Sequence, residues 1–219
     1  MPDVNATTMT YDSLVQDLKD YLERGDASDE TVLRQIPRVI ANTERALADR
    51  LKIQGYLDSF TSRMEAGVNV LTKPEGWRTT TSINYNRSSA GTNRFTLRAR
   101  GYEYMRARYP DDNSLGEPEF YCDYDLNHWL VLPTPQDDYD FEAMVYMLPP
   151  LLSSSNQQNY LTQYAPFLLL YSCLAGMEML IKHDERMPMW KAEAEANFNA
   201  INTEDLRRMI DRGQLRSTD

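Results

Sequence analysis

Covalent catalysis by a side chain needs a nucleophile, a base and a group that orients the base, all in reach of one another. The 219-residue chain has two histidines to offer as bases, His128 and His183. His128 stands beside Trp129 in a strand-like stretch. His183 follows an apolar run among Lys182, Asp184 and Glu185, the setting of a solvated cation at a helix end. Neither lies in a nucleophile motif. Glycine is scarce, and no GxGxxG or GxxxxGK[ST] run is present to cradle a phosphate. Carboxylates are more suggestive. Asp123 and Asp125 form a D-x-D pair, and Asp137, Asp138 and Asp140 form a cluster. In a strand, a D-x-D pair points both carboxylates to one face, which suits magnesium or calcium. Such pairs also occupy solvated or partner-facing strand faces, and no basic or histidine partner is expected beside them. Cys122 and Cys173 show no metal-ligand spacing and read as two free thiols of a reducing compartment. The expectation is no enzyme: no catalytic residue, no metal and no cofactor.

Charge is distributed unevenly. The net charge of −10 disfavours general nucleic-acid binding. Yet seven arginines fall between positions 78 and 108: Arg78, Arg87, Arg94, Arg98, Arg100, Arg106 and Arg108, opposed only by Glu103. Ten acids follow between 109 and 142, with no lysine or arginine among them. Three readings stand. The blocks neutralise each other inside one β-rich domain. Or they meet between neighbouring copies, with Arg94, Arg98 and Arg100 facing Asp123, Asp125, Asp137 and Asp138 in a head-to-tail contact that closes into a ring where the rotation permits. Or the arginines bind phosphates, as an arginine-dependent nucleic-acid-binding module; aromatic stacking motifs of the RNA-binding type are missing, and the adjacent acids weaken that patch.

The elements that would position these residues change type along the chain. Thr10 can cap a helix with Leu14, Val15, Leu18, Tyr21 and Leu22 at helical spacing, stopped by Gly25. Ser28 is a second cap. Pro37 opens a longer helix or kinks one already begun, with Ile40, Leu47 and Leu51 on its apolar face and Gly55 at its end. Strand candidates follow at 68–71, 79–85, 95–99 and 141–147, with a short helix at 101–108 and a hairpin of 120–124 with 129–132. A helix is expected from about Tyr160 to Lys182, with Ser172, Ala175 and Gly176 on a face that another helix can approach closely. A last helix carries Trp190, Ala194, Phe198 and Ile201, continues through Leu206, Met209 and Ile210, and ends at Gly213. The fold class expected is α+β: a helical body formed by N- and C-terminal helices with a β-rich central insertion. Its parts are residues 1–55, N-terminal and helical; 56–155, β-rich; 156–212, C-terminal helices packing with the N-terminal ones; and 213–219, a flexible tail. Residues 1–10 lack the basic start and apolar run of a signal peptide, and the apolar stretch Ala165–Ile181 holds Pro166 and Glu178 and falls short of the about 20 residues a membrane span needs. A soluble protein is expected.

Three segments carry a resemblance. They are Met9-Thr10-Tyr11-Asp12-Ser13-Leu14 followed by Ile36-Pro37-Arg38-Val39-Ile40 with Glu44 and Leu47; Tyr109-Pro110, then Gly116-Glu117-Pro118-Glu119-Phe120-Tyr121, followed by Leu130-Val131-Leu132-Pro133-Thr134-Pro135; and the closing pair of helices, Leu168–Leu180 and Trp190–Arg212. In this order they resemble the head-to-tail adaptor (connector, head completion) proteins of tailed bacteriophages. The match spans most of residues 9–212 and is weakest from Tyr56 to Arg100, where Leu71-Thr72-Lys73-Pro74-Glu75-Gly76-Trp77 stands in place of the family's "L-P-x-D-F" element. The resemblance implies a structural virion protein, made in the host cytoplasm and located at the head–tail junction. It implies a ring, usually of twelve copies, that joins the portal protein to a tail or nozzle protein and lines the DNA passage without binding DNA specifically; no membrane is involved. It also implies a C-terminal portal-docking arm with Leu206, Arg207, Arg208, Arg212 and Arg216. The same arginines equally suit an ordinary solvated helix end, where cations complement the dipole.

Overall fold

A computed structural model describes residues 8–23, 30–51, 54–87, 93–179 and 184–215. The chain is α+β with a large β-sheet. It divides into two compact units, one formed by Met1–Gly55 with Leu148–Asp219 and one by Tyr56–Met147.

In the first unit Thr10 caps helix α1 (Tyr11–Tyr21): its hydroxyl accepts from Ser13 N at 3.1 Å, and Ser13 Oγ accepts from Thr10 N at 2.8 Å. The reciprocal bonds satisfy end groups that the helix itself cannot. Helix α2 (Glu30–Arg50) runs straight through Pro37, so of the two expected arrangements the proline lies inside a helix already begun. It ends at Arg50, short of Gly55. The expected stops and caps at Gly25 and Ser28 fall outside the described residues.

The helix expected from 160 to 182 is two. Asn159 caps α4 (Tyr160–Tyr164), accepting from Leu161 N at 3.0 Å, and Ala165 leaves helical geometry at φ −138°, ψ 48°. Pro166, which has no N–H and restricts the residue before it, then opens α5 (Pro166–Gly176). Leu168, Leu169, Leu170, Cys173 and Leu174 of α5 are buried. At Gly176 a Cβ would lie 3.2 Å from Val39 Cγ1 of α2, so the small face does receive a helix. Helix α6 (Met187–Leu215) packs on α5, buries Trp190 and Phe198, and continues through Gly213 rather than stopping there.

A buried carboxylate fastens the connection before α4 to α2. Glu44 is 2% exposed. It accepts from Leu152 N at 3.0 Å and from the Asn159 amide. Burial holds its carboxyl above the ordinary value, against the opposing pull of the Leu152 N–H, Asn159 and Arg45. Cys173, fully buried, has its thiol pushed up to about 12 by the same effect, which makes it inert packing.

The second unit holds β1 (Leu57–Met64), β2 (Val70–Thr72), β3 (Trp77–Asn86), β4 (Arg94–Ala99), helix α3 (Tyr102–Arg108), β5 (Leu115–Gly116), β6 (Phe120–Asp123), β7 (His128–Leu132), β8 (Thr134–Pro135) and β9 (Tyr139–Met147). The main sheet has seven strands in the order β1-β9-β3-β4-β6-β7-β2; β5 and β8 form a separate parallel pair. All main-sheet pairings are antiparallel except β4 with β6. The two ends of the sheet face one another across a core: the Trp129 ring of β7 meets Phe60 of β1 and Phe141 of β9 at 6.3 Å between centroids. Period-2 alternation places Tyr121, Trp129 and Val131 in that core. Their neighbours Phe120, Cys122, Leu130 and Leu132 point the other way and receive Met105 of α3. Thus β6 and β7 are covered on both faces, and α3 is fastened to the outside of the sheet by one fully buried side chain.

Candidate assembly interface

The sheet unit brings part of the arginine block onto the acidic block. Arg87 pairs with Glu117, Arg94 with Glu142 and Arg106 with Asp112. From outside the arginine block, Arg63 of β1 reaches Asp138 at 2.9 Å. Among the described residues no carboxylate lies in ion-pair range of Arg98, Arg100 or Arg108. So of the inter-copy candidates, Arg94, Asp123, Asp125 and Asp138 have partners in their own chain, whereas Arg98, Arg100 and Asp137 have no ion pair among the described residues.

The D-x-D pair is not arranged for a metal. Only Asp123 lies in a strand, as the last residue of β6; Asp125 is in the turn beyond it. Basic partners also arrive, contrary to expectation. The Lys73 ammonium, its side chain 1% exposed, takes Asp123 Oδ1 at 3.0 Å, the Asp125 carbonyl at 2.8 Å and the face of Trp77 at 3.3 Å. His128 Nδ1 lies 2.9 Å from both Asp125 oxygens, and the same carboxylate accepts from Asn127 N at 2.7 Å. His128 holds the Asp125 carboxyl below its usual range. Both acids are occupied in building the turn, and no cluster of metal-ligating side chains occurs among the described residues. His128 makes no recorded bond to a hydroxyl or thiol among the described residues. His183 lies outside them.

Aromatic residues cluster beside the arginines, which the sequence reading missed. Tyr102 and Tyr124 pack with their rings tilted at 5.9 Å between centroids, and Tyr104 meets Phe120 edge-on at 5.8 Å. Arg106 donates to the Tyr102 hydroxyl, Arg100 lies 5.9 Å from the Tyr104 ring and Arg108 lies 5.7 Å from that of Tyr109. The signal was present in Arg98-Ala99-Arg100-Gly101-Tyr102-Glu103-Tyr104-Met105-Arg106-Ala107-Arg108-Tyr109, where arginine and tyrosine interleave. What could not be read was that Tyr124, from another element, completes the group.

In the helical unit the portal-docking candidates fall on or beyond the end of α6. Arg207 is exposed on the helix, the backbone at Leu206, Arg208 and Arg212 is helical, and Arg216 lies outside the described residues. Beyond Phe198 no described side chain of α6 is buried. At 1.5 Å per residue α6 is about 43 Å long and its partner α5 about 16 Å, so most of α6 runs past the helix that packs on it.

A family model described as SU10 adaptor protein matches residues 9–217. The chain belongs to the SU10 adaptor family. No curated protein matches it. Membership makes it a phage structural adaptor, a component of the virion that interacts with other head or tail proteins. The adaptor family is one of structural proteins rather than a known enzyme family. Among the described residues no helix is long and apolar enough to cross a membrane.

Proposed function

We propose that this adaptor forms a ring, of twelve copies by the resemblance, that joins the portal protein at the capsid vertex to a tail or nozzle protein and lines the DNA passage. The observation that carries this reading is α6, whose distal part lies beyond its packing partner and buries no described side chain after Phe198. A helix of that kind has most of its surface left for another molecule. Here the terminal stretch bearing Leu206, Arg207, Arg208, Arg212 and Arg216 is the portal-docking arm. Arg94, Arg98, Arg100, Asp123, Asp125, Asp137 and Asp138 remain the inter-copy candidates, with Arg98, Arg100 and Asp137 foremost because they lack an ion pair among the described residues. The acidic chain suits a passage through which DNA must slide without sticking.

The test is deletion of residues 206–219. The truncated chain should keep its melting temperature and lose binding to purified portal particles. Normal portal binding by the truncated chain removes the arm from the proposal.

A further inference from the structure

The β6–β7 turn and α3 present a patch of aromatic and apolar side chains that stays largely exposed although Tyr102 packs on Tyr124 and Tyr104 on Phe120. Leu126 is 74% exposed, Tyr104 49%, Tyr124 47% and Tyr102 41%. Exposure here is not looseness. The polar groups of the turn are engaged with one another and with Lys73: Asp123 on its ammonium, the Asp125 carbonyl on the same ammonium, the Asp125 carboxylate on Asn127 N and His128. Met105 fastens α3 behind it. A turn held by this many internal bonds that still points a leucine and a tyrosine outward is organised before it meets anything.

The rim of the patch carries Arg100 and Arg108, both exposed, neither with a carboxylate in range among the described residues, and Glu103 as its one exposed acid without an ion pair among them. Tyrosine and arginine around an apolar centre is the composition of protein-binding hot spots. A polyanion is the poorer fit, because Asp123, Asp125 and Glu103 share the surface and Leu126 offers nothing to a phosphate. The rim calls for an acidic protein surface. This chain has one at the start of β9, where Asp137, Asp138 and Asp140 are all exposed and Arg63 pairs with Asp138 alone. Contact of the patch with its own twin would set Arg100 and Arg108 against the same arginines, so the complementary contact is between unlike surfaces.

We infer that the patch of Tyr102, Tyr104, Tyr124 and Leu126 is the anchor by which one copy of this chain docks onto the acidic corner of a second copy, around Asp137. This rests on the ring reading and names the contact that builds it.

The experiment places a photo-crosslinker in the full chain as Tyr104→p-benzoylphenylalanine and, separately, as Leu126→p-benzoylphenylalanine, irradiated alone and with portal particles. The expected result is a covalent dimer whose joined peptide includes residues near 137. The Tyr104→Ala/Leu126→Ser double variant should self-associate about tenfold more weakly by sedimentation, a modest hot-spot loss. Its melting temperature should fall only slightly and the chain stay folded, because Leu126 is exposed and Tyr104 gives up a single edge contact with Phe120. Crosslinks confined to the same chain, or made to DNA or to a different protein, overturn the inference. If the wild-type chain forms rings in electron micrographs and the double variant forms them equally well, the patch is wrong and the ring reading stands. If the wild-type chain forms none with portal present, the ring reading fails and takes the patch with it.

Discussion

Glu44 and Asp125 show how differently one residue type behaves at two depths. Glu44 is a buried acceptor for Leu152 N and the Asn159 amide, and removing it leaves both donors without a partner. Glu44→Ala should therefore cost about 2–3 kcal/mol in chemical denaturation. Because burial raises its folded-state value above the unfolded one, its contribution is fully present below the unfolded carboxylate range and is lost as pH rises through the raised value. Glu44→Gln should flatten the decline in stability above about pH 4. Asp125 has the opposite sign. Its value is lowered by His128, so its bonds in the turn hold above the usual carboxylate range and are lost as pH falls through the lowered value. Amide exchange at Asn127 should accelerate in acid beyond its intrinsic rate, and Asp125→Ala should show the faster exchange already at neutral pH. The family resemblance runs through Glu44 but gives it no duty: its partners lie 108 and 115 positions away, and only folding brings them together.

At the scale of elements, local chemistry made some pieces legible and hid others. The Thr10 cap, the α3 helix and the β6–β7 hairpin stand where spacing and capping residues put them, because each is decided within a few residues. Strand β1 was not read at all. It is mostly exposed, as an edge strand is, so it lacks the alternation that betrays a half-buried strand. The break at Ala165 was missed because the apolar run conceals it, although Pro166 announces it. Gly213 was given a stopping role that the backbone does not need; glycine costs about 1 kcal/mol inside a helix but does not forbid one. Gly55 has a different duty. A Cβ there would lie 2.2 Å from the Tyr160 ring, which packs on Tyr164 at 4.9 Å. Gly55→Ala should lower stability by about 1–3 kcal/mol, the cost of forcing a methyl into a filled space, and thermal melts would measure it.

For the whole molecule, the relevant forces are those between copies. Reversal of Arg98 and Arg100 to Glu should leave the melting free energy within about 0.5 kcal/mol, since neither makes an ion pair among the described residues. It should weaken self-association, and raised salt should do the same to the wild type. An unchanged assembly size in both would leave the charge blocks as an internal matter of the sheet unit. The sequence by itself determined the mixed α+β class, the lack of a recognisable catalytic motif and, through the order of its motifs, membership of the adaptor family. Local spacing and composition suffice for the first two, and the third came through resemblance to a known family. Only the tertiary structure decided which charges are spent: Arg87, Arg94 and Arg106 on carboxylates of their own chain, Asp123 on Lys73 just beyond β2, and Asp125 on His128. Charge pairing acts over a few ångströms of space rather than along the chain, and a count of residues in a window does not contain it.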